Sequence, residues 1–267
     1  RPSQEFSSPA YDRDTDRVFY GGTHSKLYAA DGPSGAVEWS ATVAGGVQSQ
    51  LTHRDGFIYL GNGNREVVAI SADDGKTAWR YSVQGVVKQA PTLTKTRAVV
   101  VDGTNTVYGL ERKTGKWVWQ YRRDAPAHFA MFGESTPIAI GGKLYVGFSD
   151  GHLACLSIKD GALIWLKNLA PNRPKFPDVD ARPVHLAGVI YAASVGGGLF
   201  ALNAKNGKEL WAVPIMGIVS LGSYADDLIA GLSDSSVLRY DVFKKRKVWQ
   251  TNLSRKAGSP TNPVTFS

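Results

Sequence analysis

Three short runs set the reading of this chain: Leu144-Tyr145-Val146-Gly147, then Leu153-Ala154-Cys155-Leu156, then Gly161 with Trp165 four residues on. Two apolar runs of strand length, each closed by a polar turn, followed by Gly-x-x-x-Trp, describe antiparallel strands and not a helix, because no 3.6-residue period survives the turns. Working outward, the closing motif recurs as Gly35/Trp39, Gly75/Trp79, Gly115/Trp119 and Gly207/Trp211, and as Lys245/Trp249 without its glycine. Successive tryptophans are 40, 40, 46, 46 and 38 residues apart. A period of about 40 to 45 residues is the size of one four-stranded propeller blade.

The other strands of the repeat are marked by breakers and apolar runs. Inner strands start after Ser8-Pro9, Ala90-Pro91, Thr136-Pro137 and Arg182-Pro183, and second strands include Val18-Phe19-Tyr20-Gly21 and Phe57-Ile58-Tyr59-Leu60-Gly61. Third strands run from Leu27-Tyr28-Ala29-Ala30 to Val237-Leu238-Arg239-Tyr240, with a small residue mostly at the third place, where it lets a neighbouring sheet approach. The turn glycine is expected to supply positive φ or close packing under an indole. A blade has two apolar faces and needs a neighbour on each, so the expected fold is all-β: a single β-propeller domain over residues 1–267, with six recognisable repeats. The tail Thr261-Asn262-Pro263-Val264-Thr265-Phe266 repeats the inner-strand signal, and either starts an incomplete seventh blade or adds a strand to a six-bladed ring.

Composition removes several classes. The 267 residues carry a net charge of +8, but Lys and Arg are scattered, so basic solubility is expected in place of nucleic-acid binding. No run approaches the roughly 20 apolar residues of a membrane-spanning helix. One cysteine, Cys155, makes no internal disulfide, and no Cys/His spacing suits zinc, so neither metal nor cofactor is expected. A chain starting at Arg1 reads as trimmed or mature.

Isolated features have plain readings. His24, His53, His128, His152 and His185 occupy unrelated repeat positions and read as turn or surface residues. No Gly-x-Ser-x-Gly elbow is present, so hydrolysis is not expected. Gly196-Gly197-Gly198 reads as a tight hairpin turn, and Lys244-Lys245-Arg246-Lys247 as the solvated outer turn of the sixth blade, with an anionic-lipid contact as its minor alternative.

Two connections break the repeat, and such breaks are where a propeller carries function. One, Ala127 to Pro137, holds Phe129, Met131 and Phe132 before Gly133-Glu134-Ser135. The other, Asn168 to Asp180, is Pro-rich and ends in Asp178 and Asp180. Both leave a fourth strand and enter an inner strand, so they open on the same face at neighbouring blades. The plain alternatives are packing of the three apolar side chains within the propeller, and bonding of the carboxylates to backbone N–H groups.

The Trp-bearing blades resemble those of pyrroloquinoline quinone dehydrogenases. That resemblance implies a quinoprotein-type enzyme or a small-ligand sensor as the alternative function, but the pair of adjacent cysteines over the cofactor cannot be formed with one cysteine. Phe132-Gly133-Glu134-Ser135-Thr136-Pro137 and Asp178-Val179-Asp180-Ala181-Arg182-Pro183 resemble the Arg-Gly-Glu-Ser-Ala-Pro and Asp-Val-Asp-x-x-Pro segments of the outer-membrane assembly factor BamB family, in the same places counted by Trp. The resemblance implies a non-enzymatic periplasmic scaffold of the β-barrel assembly machinery, held at the outer membrane by a lipid anchor outside this chain. Its implied partners are the POTRA repeats of BamA and unfolded outer-membrane protein clients. By position it makes Phe129, Met131 and Phe132 the apolar anchors and Asp178 and Asp180 the charged partners, with Trp39, Trp79, Trp119, Trp165, Trp211 and Trp249 structural. Phe132 stands where the family has Arg, which removes that ion pair and shifts contact toward apolar burial. The family has eight blades, against six here and the start of a seventh.

Overall fold

A computed structural model describes residues 8–22, 24–124, 135–172 and 175–253. All regular structure among them is β. Six four-stranded sheets are each an antiparallel meander in chain order, and they fall into two compact units, Arg1–Arg123 and Asp124–Ser267.

The first unit holds three blades. They are β1 (Ala10–Asp12), β2 (Arg17–Gly21), β3 (Lys26–Asp31) and β4 (Val37–Thr42); β5 (Thr52–Arg54), β6 (Phe57–Gly61), β7 (Glu66–Ser71) and β8 (Thr77–Ser82); and β9 (Thr92–Leu93), β10 (Arg97–Asp102), β11 (Thr106–Glu111) and β12 (Trp117–Arg122). The second unit holds β13 (Ile138–Ile140), β14 (Lys143–Gly147), β15 (His152–Ser157) and β16 (Leu163–Asn168); β17 (Val184–Leu186), β18 (Val189–Ser194), β19 (Gly198–Asn203) and β20 (Glu209–Val213); and β21 (Ile218–Tyr224), β22 (Asp227–Leu232), β23 (Ser236–Asp241) and β24 (Arg246–Asn252). The four Pro-marked inner strands begin where the sequence places them. β5 and β21 have no proline directly before them and were legible only by their position in the repeat.

Within each blade the Trp of the fourth strand pairs with the third place of the third strand: Ala29 with Trp39, Ala69 with Trp79, Gly109 with Trp119, Cys155 with Trp165, Ala201 with Trp211 and Arg239 with Trp249. A register shift follows this pair in every blade, a bulge that re-aims the indole. The small residue therefore has a second duty beside close approach of sheets: a Cβ on Gly109 would overlap the Trp119 ring of its own blade.

The indole reaches forward into the next blade. Trp39 Nε1 donates to the Ala72 carbonyl at 3.0 Å, Trp79 to Arg112 at 3.0 Å and Trp165 to Ala204 at 3.2 Å. Each acceptor lies three residues before a turn glycine, and each glycine lies under that same indole. A Cβ on Gly75 would stand 2.8 Å from Trp39 Cε3, and one on Gly207 2.7 Å from Trp165 Cδ2. These glycines also sit at φ of +69° and +70°, so both reasons expected for them hold at once. The core follows the same logic. Buried clusters join the first blade to the second, the second to the third, the fourth to the fifth and the fifth to the sixth.

Candidate partner-binding site

In a meander whose strands alternate direction, the connection leaving a fourth strand lies at the same end of the sheet as the turn between second and third strands. In the second unit this end gathers the 148–151, 195–197 and 233–235 turns with residues 169–172 and 175–183 of one connection and the 214–217 connection. The opposite end gathers the 141–142, 158–162, 187–188, 204–208, 225–226 and 242–245 turns.

The Asp178-Val179-Asp180 segment is laced into the first of these ends by its backbone. Val179 N–H donates to the Phe148 carbonyl at 3.1 Å, and Val195 N–H donates to the Asp178 carbonyl at 2.9 Å. Gly196 N–H reaches the Phe176 carbonyl at 2.9 Å, and Ser194 Oγ donates to the Pro177 carbonyl at 2.8 Å. Three glycines make this possible. A Cβ on Gly147 would strike the Val179 carbonyl, one on Gly151 would come within 2.8 Å of Ala170 Cβ, and one on Gly197 would strike the Leu169 carbonyl. Gly196 and Gly197 thus lie in the tight turn between β18 and β19, with Gly198 opening β19, and the bare Gly197 admits the preceding connection at Leu169.

The same segment meets the end of the other unusual connection. Ser135 is buried, and its Oγ donates to the Ala181 carbonyl at 3.1 Å. The sequence thus marked two segments that the fold joins directly. Phe129, Met131, Phe132, Gly133 and Glu134 lie outside the described residues. Asp178 is fully buried and Asp180 is 9% exposed, so in this conformation both carboxylates face inward and the strap presents other groups to solvent.

Those groups include Pro171, Asn172, Lys175 and Arg182, all exposed, with the Lys175 ammonium 5.3 Å from the centre of the Phe176 ring. Met216, on the connection between β20 and β21, is 51% exposed at the same end. The sequence reading passed over it, although Ile215-Met216 shows the same signal as the first loop, apolar residues in a connection that ought to be polar. Chemically, this end offers a hydrogen-bonded backbone strap, two cations and a large exposed thioether. Among the described residues no group of three or more His, Cys, Asp or Glu side chains is placed to hold a metal ion.

The other candidates resolve locally. Cys155 is buried at the β15 pairing with Trp165, and burial pushes its thiol up to about 11, which keeps it protonated and inert at neutral pH. His53 stands 3.8 Å from Asp12 and 5.4 Å, ring to ring, from Phe19, inside the packing of the first two blades. Burial works to raise the Asp12 carboxyl, but hydrogen bonds from Thr15 Oγ1 at 2.5 Å and Asp14 N–H at 3.1 Å outweigh it and hold the group below the usual carboxylate range.

Comparison with known proteins agrees with the blade geometry. The family described as outer membrane protein assembly factor BamB matches residues 23–251. BamB of Yersinia pestis is 31% identical over 128 residues, which are 43% of this chain and 32% of that protein, so the matched stretch spans about a third of the relative's length. The crystal structure of BamB from Moraxella catarrhalis superposes with a TM-score of 0.83 at 19% identity, covering 93% of this chain and 76% of that one. A quinohemoprotein alcohol dehydrogenase from Pseudomonas putida HK5 gives 0.75 at 15% identity, covering 94% of this chain and 59% of its own, which shows a shared fold and nothing of its chemistry. The fold is therefore an all-β propeller of four-stranded antiparallel blades with the quinoprotein-like repeat. With its six Trp-bearing repeats and a family match along most of its length, this chain belongs to the outer membrane protein assembly factor BamB family.

Proposed function

We propose that this protein is a non-enzymatic scaffold of the outer-membrane β-barrel assembly machinery, working in the periplasm at the outer membrane. It binds the POTRA repeats of BamA and assists insertion of outer-membrane proteins. The observation that carries this reading is the family match across residues 23–251, on a chain whose repeat-breaking segments converge through the Ser135–Ala181 hydrogen bond. Phe129, Met131 and Phe132 are the apolar anchors, on the connection that ends at Ser135. The Asp178-to-Ala181 strap fixes where that connection ends, and its buried carboxylates act by shaping the strap. Met216, Lys175 and Arg182 add exposed contacts at the same end of the second unit. Binding by such a surface rests on a few well-seated anchors and not on its total area.

Calorimetric titration with the POTRA repeats of BamA tests the reading, comparing the chain with Phe132→Asp and Met216→Asp variants whose folding is checked by circular dichroism. Binding by the wild type with a loss of about tenfold or more in the Phe132→Asp protein is expected for a central anchor. No binding by the wild type overturns the assignment. Equal binding by wild type and both variants removes these residues from the contact.

A further inference from the structure

The turn between β23 and β24 differs from its counterpart in every other blade. Two residues before the left-handed position of this turn, the first five blades carry Pro33, Asp73, Lys113, Lys159 and Lys205, and the sixth carries Phe243. All six residues are exposed. In the first unit Pro33 and Asp73 stay exposed although another blade follows, and in the second unit so do Lys159 and Lys205. Asp73 reaches back to Arg17 of the preceding blade at 3.1 Å, but no following blade covers the position in either unit, so the exposure of Phe243 belongs to the turn itself. Trp249, 41% exposed, is the contrasting case, because the other tryptophans at its repeat position are buried or half-buried. At 72%, Phe243 is the most exposed large hydrophobic among the described residues.

Four exposed cations follow it directly, Lys244, Lys245, Arg246 and Lys247. The acidic group facing them on their own hairpin is Asp241. Its Oδ1 accepts from Phe243 N–H at 3.0 Å and Lys244 N–H at 2.8 Å, while Oδ2 stands 3.7 Å from Lys244 Nζ. Asp227, on β22, is engaged by Arg239 at 2.6 Å. Against Asp241 and the exposed Asp226 on the 225–226 turn of the same blade, the four cations still leave a local excess of positive charge, and Lys205 and Lys208 stand on the corresponding turn of the preceding blade at the same end. A nucleic-acid duplex would meet the cations with its phosphates but keeps its bases stacked inside the helix, away from the phenyl ring. A bilayer with anionic headgroups above hydrocarbon serves both, taking charge at the phosphates and the ring at the interface.

We propose that the β23–β24 turn, Phe243 with Lys244 to Lys247, is a contact for an anionic lipid bilayer. It lies at the end of the second unit's sheets opposite the Asp178 strap, and it stands independently of the assembly reading. The test is co-sedimentation of the full chain with vesicles of phosphatidylcholine alone and of phosphatidylcholine mixed with phosphatidylglycerol. Binding to the mixed vesicles only is expected. A contribution of about 1 kcal/mol per basic residue predicts that Lys244→Gln/Lys245→Asn/Lys247→Gln weakens it about tenfold or more. Phe243→Ser should weaken it too. Removing the same charge as Lys88→Gln/Lys113→Gln/Lys116→Gln should leave it within about threefold of wild type. A polarity-sensitive dye on Phe243→Cys, with the native Cys155 buried, should shift to the blue on mixed vesicles. Absent binding overturns the proposal, as does an equal loss in the Lys88 set, which would make net charge the cause. Undiminished binding by Phe243→Ser together with displacement by short duplex DNA also overturns it, in favour of a polyanion site.

Discussion

Gly207 and Lys245 occupy the same place in consecutive blades, and the difference between them is the repeat in miniature. Gly207 sits at φ +70° beneath Trp165, while Lys245 sits at φ +50° in the one closing turn without glycine. A methyl group at Gly207 meets two costs at once, left-handed backbone and an indole 2.7 Å away, neither of which a small shift relieves. Gly207→Ala should therefore destabilise the chain by about 2 to 4 kcal/mol. Lys245→Gly runs the other way. Relief of left-handed strain, worth about 1 to 2 kcal/mol, exceeds the added flexibility of glycine, about 0.5 to 1 kcal/mol, so a net gain of about 0.5 kcal/mol is expected. Urea midpoints of the two variants beside wild type check both signs. The glycine was visible in the sequence as part of Gly-x-x-x-Trp. That the indole above it belongs to the preceding blade was not, because the motif places a Trp four residues away on the same chain while the contact partner lies 42 residues earlier (Gly207 beneath Trp165).

Among the elements, the strap from Asp178 to Ala181 is pinned by neighbours on both sides, as the connections through Val47-Gln48 and Gly217 also are. Its pins are backbone groups of the 148–151 and 195–197 turns and the Ser135 hydroxyl. Ser135→Ala leaves the buried Ala181 carbonyl without that donor and should cost about 1 to 2 kcal/mol in a denaturation experiment, with circular dichroism of the native state unchanged. If the variant also weakens POTRA binding, the strap positions the contact. If binding is unchanged, Ser135 acts in folding alone. The two segments were legible as repeat-breaking connections, since Pro, Asp and apolar residues stand where turn chemistry is expected. Burial of Asp178 and Asp180 was not legible, because the sequence shows a carboxylate in a loop but not the turns that close over it. Met216 was missed for a related reason: one exposed Met in a short connection reads like packing until the side chain is seen in solvent.

For the molecule as a whole, stability in such a repeat is close to a sum of blade interfaces. Trp165, 8% exposed and bonded to the next blade through Ala204, is a pillar of one such interface; Trp249, 41% exposed on a fourth strand exposed along its whole length, is not. Trp165→Ala should cost about 3 to 5 kcal/mol and Trp249→Ala less than about 1 kcal/mol, read from thermal or urea unfolding. Costs of equal size would show that Trp249 is covered in solution. The blade, its length and six of its repeats were readable from the chain alone, because a strand's face period and a turn's need for glycine are local and repeat with the chain. The sequence also marked where the repeat breaks. Only the tertiary structure decided which indole covers which glycine, which carboxylates are shut in by neighbouring turns, and that Phe243 stands in solvent among four cations. Those are contacts between segments far apart in sequence, or the lack of them, and no local pattern encodes what lies across a gap.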